Sequence, residues 1–435
     1  MRKVIFFLSV LIITSCSSKE DSASKENINT LAEQYVRLAL TIGQYDTDFV
    51  DAYYGPDSLK PTTPVLATFP KDSLLSAVAN LSARLKTLAS TSADSVSKRA
   101  GWIQEQLVAF DKRIRIFSGE NGTFDDESKA LFGVTAPVNN ELHFQQLVAQ
   151  MDSLLPGKGT IPERFQQLAN HFIIPKEKLD TVFKTAIAEC RKRTLQHYEL
   201  PVSESFTLEY VNNKPWSGYN WYKGNYRSII QINTDLQIFI DRAIDVGSHE
   251  SYPGHHVYNM LLEKNLYRDK GWLEISLYPL YSPTSLIAEG SANYGIALAF
   301  PGEEKVRFAK EVLLPLAGLD TARISIYFNA LAVREELNYA RNEIARGLLN
   351  GTMTEAEALR WLKEYGLMND QTATKSISFI RHNRSYVINY NYGKDLVKSY
   401  IESKGGNASA DEKWKLFGWL LSNEVSTADL AKTVK

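Results

Sequence analysis

Apolar residues spaced three and four apart recur through most of the first 200 residues, which predicts a chain of packed amphipathic helices. Four stretches carry the stripe most clearly: 28–42, 74–85, 144–155 and 176–197. Three breaks rich in Pro and Gly separate them, near 55–70, 118–137 and 156–162. A run of helices this long buries its stripes against one another. We therefore predict an N-terminal helical region over 27–200.

The pattern changes after residue 200. Phe206, Leu208 and Tyr210 alternate with polar residues, which predicts a half-buried strand over 204–211. Two further extended stretches are 219–222 and 226–233. Helical spacing resumes near 234 and continues toward the C-terminus, with a capping box at Thr354 and Glu357. The predicted fold class is mostly α with a small central β-sheet (α+β), and 201–435 forms the second region.

The N-terminus has the pattern of a targeting signal. Arg2 and Lys3 precede ten mostly apolar residues, fewer than the ~20 that span a bilayer. Small residues follow and then Cys16, which resembles the bacterial lipoprotein signal. Residues 1–16 are therefore predicted to be a signal peptide ending at a lipidated Cys16. The alternative is a plain cleaved secretion signal.

The residues after Cys16 indicate where the protein goes. Residues 17–26 are rich in Ser, Lys and acids and predict a flexible tether. Within them, Lys-Glu-Asp at 19–21 resembles the surface-export signal of Bacteroidetes lipoproteins. We expect an outer-membrane lipoprotein exposed on the cell surface, held in the membrane through Cys16. The alternative location is the periplasmic face.

Charge and cysteine content narrow the possible partners. The chain has 49 basic and 50 acidic residues, so it lacks the basic excess typical of nucleic-acid binders, and we expect no nucleic-acid partner. It has only two cysteines, and lipidation of Cys16 leaves Cys190 without a disulfide partner. Cys190 is expected to be a buried helical thiol. Stability must then come from a large core or a metal.

The most informative motif is HESYPGHH at 249–256, which holds three of the seven histidines. Zinc peptidases place a second histidine four residues after the first of an H-E pair, but Pro253 stands there. His256 returns to the face of His249 but lies ~10.5 Å along an ideal helix. His255 could reach the same metal ion as His249 only if Pro253 and Gly254 widen the helical turn between them. The sequence does not decide whether His255 or His256 is the second ligand. The structural alternative is a histidine-rich helix end that binds no metal.

This octet resembles the signature of the bacterial domain-of-unknown-function family 885, which is grouped with zincin-like metallopeptidases. Residues 289–295 resemble its E-G-W-A-x-Y block, with Ser291 in place of Trp. Residues 386–393 resemble its A-x-x-Y-x-x-G block, with Val387 in place of Ala. The resemblance covers roughly 200–400 and implies a zincin-like helical metallopeptidase architecture. In zincins an edge strand holds the peptide substrate, and the strand ending at Asn233 stands at the corresponding place.

Catalytic zinc takes three protein ligands and keeps one open position for water. His249, one of His255 or His256, and Glu289 are the predicted ligands of one Zn²⁺ per chain. Glu289 has apolar neighbours in the sequence, and a buried carboxylate needs a partner. The alternative to a metal as that partner is an arginine, in a buried Glu–Arg pair. Glu250 directly follows a ligand. It is expected to take a proton from the metal-bound water and to pass it to the leaving amine.

Other residues have more open roles. Tyr390 matches the family block, which implies donation to the developing oxyanion, with a packed aromatic as the alternative. Asn293 lies one helical turn after Glu289 and could orient a ligand histidine. A basic group that either grips a substrate carboxylate or caps a helix comprises Arg381, His382 and Arg384.

These predictions favour a zinc-dependent peptidase, an amide-bond hydrolase acting on a peptide or protein substrate and anchored as a lipoprotein. A peptidoglycan-directed amide hydrolase needs the same groups and is one alternative. A non-catalytic zincin-like binding lipoprotein is the other. An intact Glu250 favours the enzyme, because a binding protein has little need of a general base.

Overall fold

The computed structural model describes residues 27–214 and 216–433. The predictions for Cys16, the signal and the tether lie outside these residues. No helix in the described part of the chain is long and apolar enough to cross a membrane. The fold is mostly helical with two small sheets, which confirms the predicted class.

Before the central sheet the described chain is helical, with one short strand. The helices are α1 Ile28–Gly43, α2 Lys71–Thr91, α3 Asp94–Phe117, α4 Phe124–Phe132, α5 Glu141–Leu154, α6 Ile161–Asn170 and α7 Leu179–Thr194. The four predicted stripes fall on α1, α2, α5 and α7, as expected. The break predicted at 118–137 is wrong in part because it contains α4. The side chain of Thr123 caps the first turn of α4 and Gly133 ends it in the left-handed region, so these two caps support a helix of nine residues.

The central sheet has strands β2 Ser205–Val211, β3 Gly218–Tyr222 and β4 Arg227–Asn233 in the order β2-β4-β3. β2 runs parallel to β4, and β3 runs antiparallel to it. All three strands were predicted, but the placement of the edge strand was wrong. Asn233 ends the middle strand, because β2 fills the side of β4 that β3 leaves open. The edge next to the octet is β3.

A second sheet was not predicted. β1 Val50–Tyr53 pairs antiparallel with β5 Leu277–Pro279. Each strand is too short to show an alternating pattern, and the two are far apart in the chain. This pairing attaches the N-terminal helices to the region that follows the octet.

The helices after the central sheet complete the core, and the first two of them pack against the sheet. They are α8 Ile240–Glu250, α9 His255–Leu262, α10 Pro283–Ala299, α11 Glu304–Phe308, α12 Leu314–Ala317, α13 Ile324–Leu337, α14 Ala340–Asn350, α15 Glu355–Glu364, α16 Asp370–Asn383, α17 Tyr392–Ile401, α18 Ala410–Leu421 and α19 Thr427–Ala431. Both hydrogen bonds of the capping box predicted at Thr354 and Glu357 are present.

The buried apolar residues form two clusters. The smaller cluster joins α1, α2 and α3, and the larger one extends from α3 to α19. Cys190 is fully buried in the larger cluster, as predicted. In the same cluster α7 packs on α8, where a Cβ on Gly247 would lie 3.4 Å from Ile187 Cγ1. The helix that carries the first part of the octet is therefore fixed by the core.

Candidate metal centre

The octet is divided between two helices. α8 ends at Glu250, Ser251 leaves the helical region with φ −116° and ψ −94°, and α9 begins at His255. The Tyr252–Pro253 peptide bond between them is cis. A Cβ on Gly254 would lie 1.9 Å from the carbonyl oxygen of His249, so only glycine lets the chain return this closely. The second helix therefore starts directly beside the end of the first.

This chain reversal brings His255, and not His256, to His249. The Nε2 atoms of His249 and His255 lie 3.2 Å and 3.8 Å from Glu289 Oε2. Nitrogen and oxygen atoms from these three residues all lie within 4.8 Å of one another. The side chains keep 14%, 13% and 10% of their surface exposed for His249, His255 and Glu289. Solvent can therefore reach a cluster that is otherwise buried.

Two observations on Glu289 test whether the cluster suits a metal ion. Its Oε2 is buried and accepts no hydrogen bond from any described residue. Burial alone would raise the pKa of Glu289, but the two histidines outweigh it and hold that pKa well below its usual value. An ionised, unsatisfied carboxylate oxygen facing two imidazoles fits the donor set of a catalytic zinc. The alternative Glu–Arg pair is not what holds Glu289, since its Oε1 accepts from Tyr386.

Asn293 orients His249, as the sequence suggested. Its Nδ2 donates to the carbonyl oxygen of Tyr390 at 2.8 Å, which fixes its amide so that Oδ1 faces His249 Nδ1 at 3.0 Å. An amide oxygen only accepts, so Nδ1 of His249 carries a proton. Nε2 is then the nitrogen that faces Glu289 and would be left to bind a metal.

His256 lies outside the cluster and has a structural role. Its Nδ1 is 2.8 Å from Ser228 Oγ on β4, and its Nε2 is 3.1 Å from Glu204 Oε2. The Tyr252 hydroxyl donates to the same carboxylate oxygen at 2.6 Å. His256 is fully buried, and the interaction ties the start of α9 to the sheet. Neighbouring residues on a helix point about 100° apart, so His255 and His256 cannot both face Glu289.

Glu250 lies beneath the edge strand. Its backbone oxygen accepts a 2.6 Å hydrogen bond from Asn220 Nδ2 on β3. A Cβ on Gly218, at the start of β3, would lie 3.2 Å from Glu250 Oε1. Burial raises the pKa of Glu250, opposed by the charges of the two cluster histidines. A carboxylate with a raised pKa is a better proton acceptor.

Two tyrosines stand on the opposite side of Glu289. The Tyr386 hydroxyl donates to Glu289 Oε1 at 2.9 Å, and the ring of Tyr390 packs on that of Tyr386 at 5.7 Å between centroids. The Tyr390 hydroxyl donates to no described residue. Tyr386 was missed as a site residue, although it lies within the block at 386–393. Position in that block was the only sequence signal for it.

The two blocks that follow the octet in the sequence are in direct contact. A Cβ on Gly290 would lie 2.4 Å from the backbone carbonyl carbon of Gly393. This close crossing of α10 and α17 sets Glu289 against the Tyr386–Tyr390 segment. Glycine at both positions is therefore a requirement of the site geometry.

Asp51, on β1, is a site residue that the sequence did not indicate. Its Oδ1 accepts a hydrogen bond from Tyr219 on β3. Burial raises its pKa to about 6, against the hydrogen bond from Tyr219 and the charge of His255, which lower it. The charges of Glu289 and Glu250 also raise it. No local pattern marks Asp51, because its place depends on the pairing of β1 with β5.

The basic group proposed near the C-terminus is already paired. Arg381 forms an exposed ion pair with Glu355, His382 lies 3.0 Å from Asp48, and Arg384 lies 2.8 Å from Glu127. Arg384 is also the C-cap of α16, which agrees with the helix-capping alternative. Each of the three thus has an acidic partner within the described chain.

No protein-family model and no curated protein matches this sequence. Solved structures match its fold. A protein described as a lipoprotein from Colwellia psychrerythraea has a TM-score of 0.52 at 15% identity, covering 83% of this chain and 65% of that one. This chain thus spans less than two thirds of that protein's length. A protein of unknown function from Shewanella oneidensis, also described as a lipoprotein, has a TM-score of 0.49 at 11% identity, covering 83% of this chain and 71% of that one.

A third match is metallocarboxypeptidase 1 of Trypanosoma cruzi, with a TM-score of 0.40 at 11% identity, covering 93% of this chain and 95% of that one. At such identities, structural similarity is informative about the fold alone. The fold is a mostly helical α+β architecture, and its zincin-like character stays a prediction. Membership of family 885 stays a prediction.

Proposed function

We propose that this chain is a zinc-dependent peptidase, an amide-bond hydrolase, anchored to a membrane as a lipoprotein. One observation carries the proposal: ligand atoms from His249, His255 and Glu289 lie within 4.8 Å of one another in a partly exposed cluster. A structural zinc site is closed, whereas a catalytic site keeps one position open, and the exposure favours the second.

The three cluster residues would hold one zinc ion. When bound, zinc supplies Lewis-acid polarisation of the scissile carbonyl and lowers the pKa of a coordinated water. Glu250 follows the ligand His249 and has a buried carboxylate, so it is suited to accept a proton from the attacking water. The same carboxyl then returns the proton to the leaving amine.

Two further elements support substrate binding beside Glu250. β3 ends the described sheet and no described strand pairs with its outer edge, where we propose that an extended peptide adds as a further strand. Gly218 places this edge directly above the Glu250 side chain. On the other side of the cluster, the unengaged hydroxyl of Tyr390 is a donor for the oxyanion, whereas the hydroxyl of Tyr386 is engaged by Glu289.

The test compares zinc content and hydrolysis of a mixed peptide library by the wild type and Glu250→Gln. We expect the variant to keep its zinc and its fold but to lose roughly 10²–10⁴ in rate, the contribution of a positioned proton-transfer group. Glu199→Gln, at an exposed position, is the control and should cleave as the wild type does. Unchanged hydrolysis by Glu250→Gln contradicts the mechanism and favours the non-catalytic binding lipoprotein.

Two more variants separate the roles of the other residues. Glu289→Gln removes a charged ligand, so metal binding and activity should fall together. Tyr390→Phe should keep the metal and lose rate alone, by at most a few kcal/mol in the barrier. Adding cross-linked peptidoglycan peptides to the library tests the peptidoglycan-directed alternative with the same proteins.

The membrane anchor is tested separately, through Cys16. Stable anchoring takes more than one acyl chain, so a diacylated or triacylated Cys16 should hold the protein in the membrane fraction. Cys16→Ala should be soluble or unprocessed. Exposure on the cell surface, proposed from the Lys-Glu-Asp at 19–21, predicts that protease added to intact cells removes the protein. Full protection from the protease would favour the periplasmic face.

A further inference from the structure

Arg341, near the start of α14, has no anionic partner. Its Nε is buried and donates to no acceptor in the described residues. Its guanidinium lies 5.3 Å over the ring of Phe379, and no ion pair within 27–214 or 216–433 includes it. Burial lowers the pKa of Arg341, yet an arginine stays charged in a protein. The side chain therefore carries a positive charge that the described residues leave uncompensated.

Two buried arginines of this chain are each paired with a carboxylate, whereas Arg341 is half-buried and has none in the described chain. Arg113 forms two hydrogen bonds with Asp46, at 2.6 Å and 3.0 Å. Arg99 makes the same two-pronged contact with Glu274. Burying a charge without a counter-charge is costly, which explains these pairs. Arg341 lacks such a partner among the described residues, so its guanidinium is available to an anion that comes from outside the chain.

A continuous set of contacts leads from Arg341 to the metal centre. Phe379, which lies under the guanidinium, packs on Tyr390 with 6.4 Å between ring centroids. Tyr390 packs on Tyr386, whose hydroxyl reaches Glu289. The charges agree with this order: burial and then Glu289 raise the pKa of Tyr390, while the positive charge of Arg341 lowers it. Tyr390 is therefore close enough to both Glu289 and Arg341 for their charges to act on its hydroxyl.

A second arginine adds positive charge near Arg341, and a neighbouring hydrogen bond holds the helix that carries Arg341 in place. Arg334, on α13, lies 5.2 Å over Phe165 and forms no ion pair in the described chain; its charge adds to the lowering of the Arg341 pKa. Next to Arg341, Asn342 donates to Asn391 at 3.0 Å, which holds the start of α14 against the segment that follows Tyr390. The site is therefore built on rigid elements.

We propose that Arg341 binds a carboxylate of the peptide substrate, on the Tyr390 side of the metal centre. This inference rests on the proposed peptidase function and names its substrate class: peptides cleaved close to a residue with a free carboxylate. A guanidinium forms two parallel hydrogen bonds with a carboxylate, and the opposite charges strengthen both bonds. A neutral amide lacks the negative charge and binds a guanidinium more weakly. The carboxylate belongs either to the C-terminus or to an Asp or Glu side chain.

Binding to the Glu250→Gln variant, measured by calorimetry with zinc loaded, tests this without turnover. The probes are N-acetyl-trialanine as the free acid, its C-terminal amide, and N-acetyl-Ala-Asp-Ala amide. We expect the free acid or the Asp peptide to bind roughly 10- to 100-fold more tightly than the neutral amide, as for a charge-assisted hydrogen bond. Whichever of the two binds tightly identifies the source of the carboxylate.

The arginine variants are made in the same Glu250→Gln background. Adding Arg341→Gln should remove the preference for the carboxylate and leave the affinity for the neutral amide unchanged. Arg341→Lys, which keeps the charge, should restore part of the preference. Arg381→Gln is the control, because Arg381 is exposed and paired with Glu355. If Arg341→Gln does not fold, the affinities of Arg341→Lys and of the Glu250→Gln parent for the three probes test the role of Arg341 instead.

The possible failures are distinct. Equal affinity for all three probes, or a preference that survives Arg341→Gln, overturns the role of Arg341. Glu250-dependent hydrolysis at equal rates for peptides with and without a free carboxylate also overturns the role of Arg341. That result would still support the peptidase function. Absence of Glu250-dependent hydrolysis from the library overturns the peptidase function, and with it the carboxylate site.

Discussion

His249 Nε2 lies 3.2 Å from Glu289 Oε2, an oxygen that accepts no hydrogen bond from the described residues. The two residues belong to different helices, α8 and α10. His255 completes the cluster from α9. Three elements therefore converge on one point, and an ion bound there would link them.

The first prediction concerns this link. Protein without its signal should carry about one zinc per chain, and His249→Ala should lose the zinc. Because metal binding stabilises the folded state only, the loss should lower the melting temperature as well. Elemental analysis and calorimetry measure both. His382→Ala, at an exposed histidine, should change neither, and wild-type protein free of transition metal would contradict the site.

The second prediction separates two adjacent histidines. His255→Ala should abolish zinc binding with a modest effect on the stability of the apoprotein. His256→Ala leaves the Glu204 carboxylate and Ser228 without their imidazole, so it should cost roughly 2–4 kcal/mol of unfolding free energy. The folded fraction of that variant should still bind zinc. Denaturant titration and metal analysis of both variants test this assignment. Zinc binding that is kept in His255→Ala and lost in His256→Ala would exclude His255 as the ligand.

The third prediction concerns the crossing of α10 and α17. Gly290→Ala puts a methyl group 2.4 Å from the Gly393 backbone, which cannot move aside as a side chain can. We expect a loss of about 1–3 kcal/mol in stability, with weaker zinc binding because Glu289 shifts. Gly101→Ala is the matched control in α3, where nothing lies within 4 Å, and it should be neutral or stabilising by up to ~1 kcal/mol. Equal effects at the two sites would contradict the close crossing.

The fourth prediction is an acid-dependent loss of stability through Glu204. Burial would raise the pKa of Glu204, but hydrogen bonds from His256, Tyr252 and Arg191 outweigh it and lower the pKa to about 2 from 4.5. A lowered folded-state pKa stabilises the protein above pH 4.5, and this contribution disappears as the pH falls to about 2. It amounts to at most about 3 kcal/mol, since one pKa unit is worth about 1.4 kcal/mol.

The measurement is the free energy of unfolding from pH 7 to pH 2 for the wild type and Glu204→Gln. The variant should be less stable at pH 7 and should lose less stability on acidification. Glu199→Gln, an exposed glutamate, should keep the wild-type pH dependence. An identical slope in Glu204→Gln would show that other carboxylates cause the acid sensitivity.

Several features followed from the sequence alone because neighbours in the chain set them. The apolar stripes of α1, α2, α5 and α7 depend on helical periodicity. The strands of the central sheet depend on alternation and β-branched residues, and the capping box at Thr354 and Glu357 depends on local backbone chemistry. The octet likewise identified His249 and Glu250 as candidates, and the block at 289–295 identified Glu289, through residue types and a family resemblance.

Tertiary contacts alone decided which histidine joins His249. The Gly254 reversal turns His255 toward Glu289, and Ser228 and Glu204, from distant parts of the chain, engage His256. The roles of Asp51, Tyr386 and Arg341 were also invisible in the sequence. Each depends on what faces it across helices or strands far apart in the chain, and a buried charge or an unsatisfied oxygen becomes significant only when its surroundings are known.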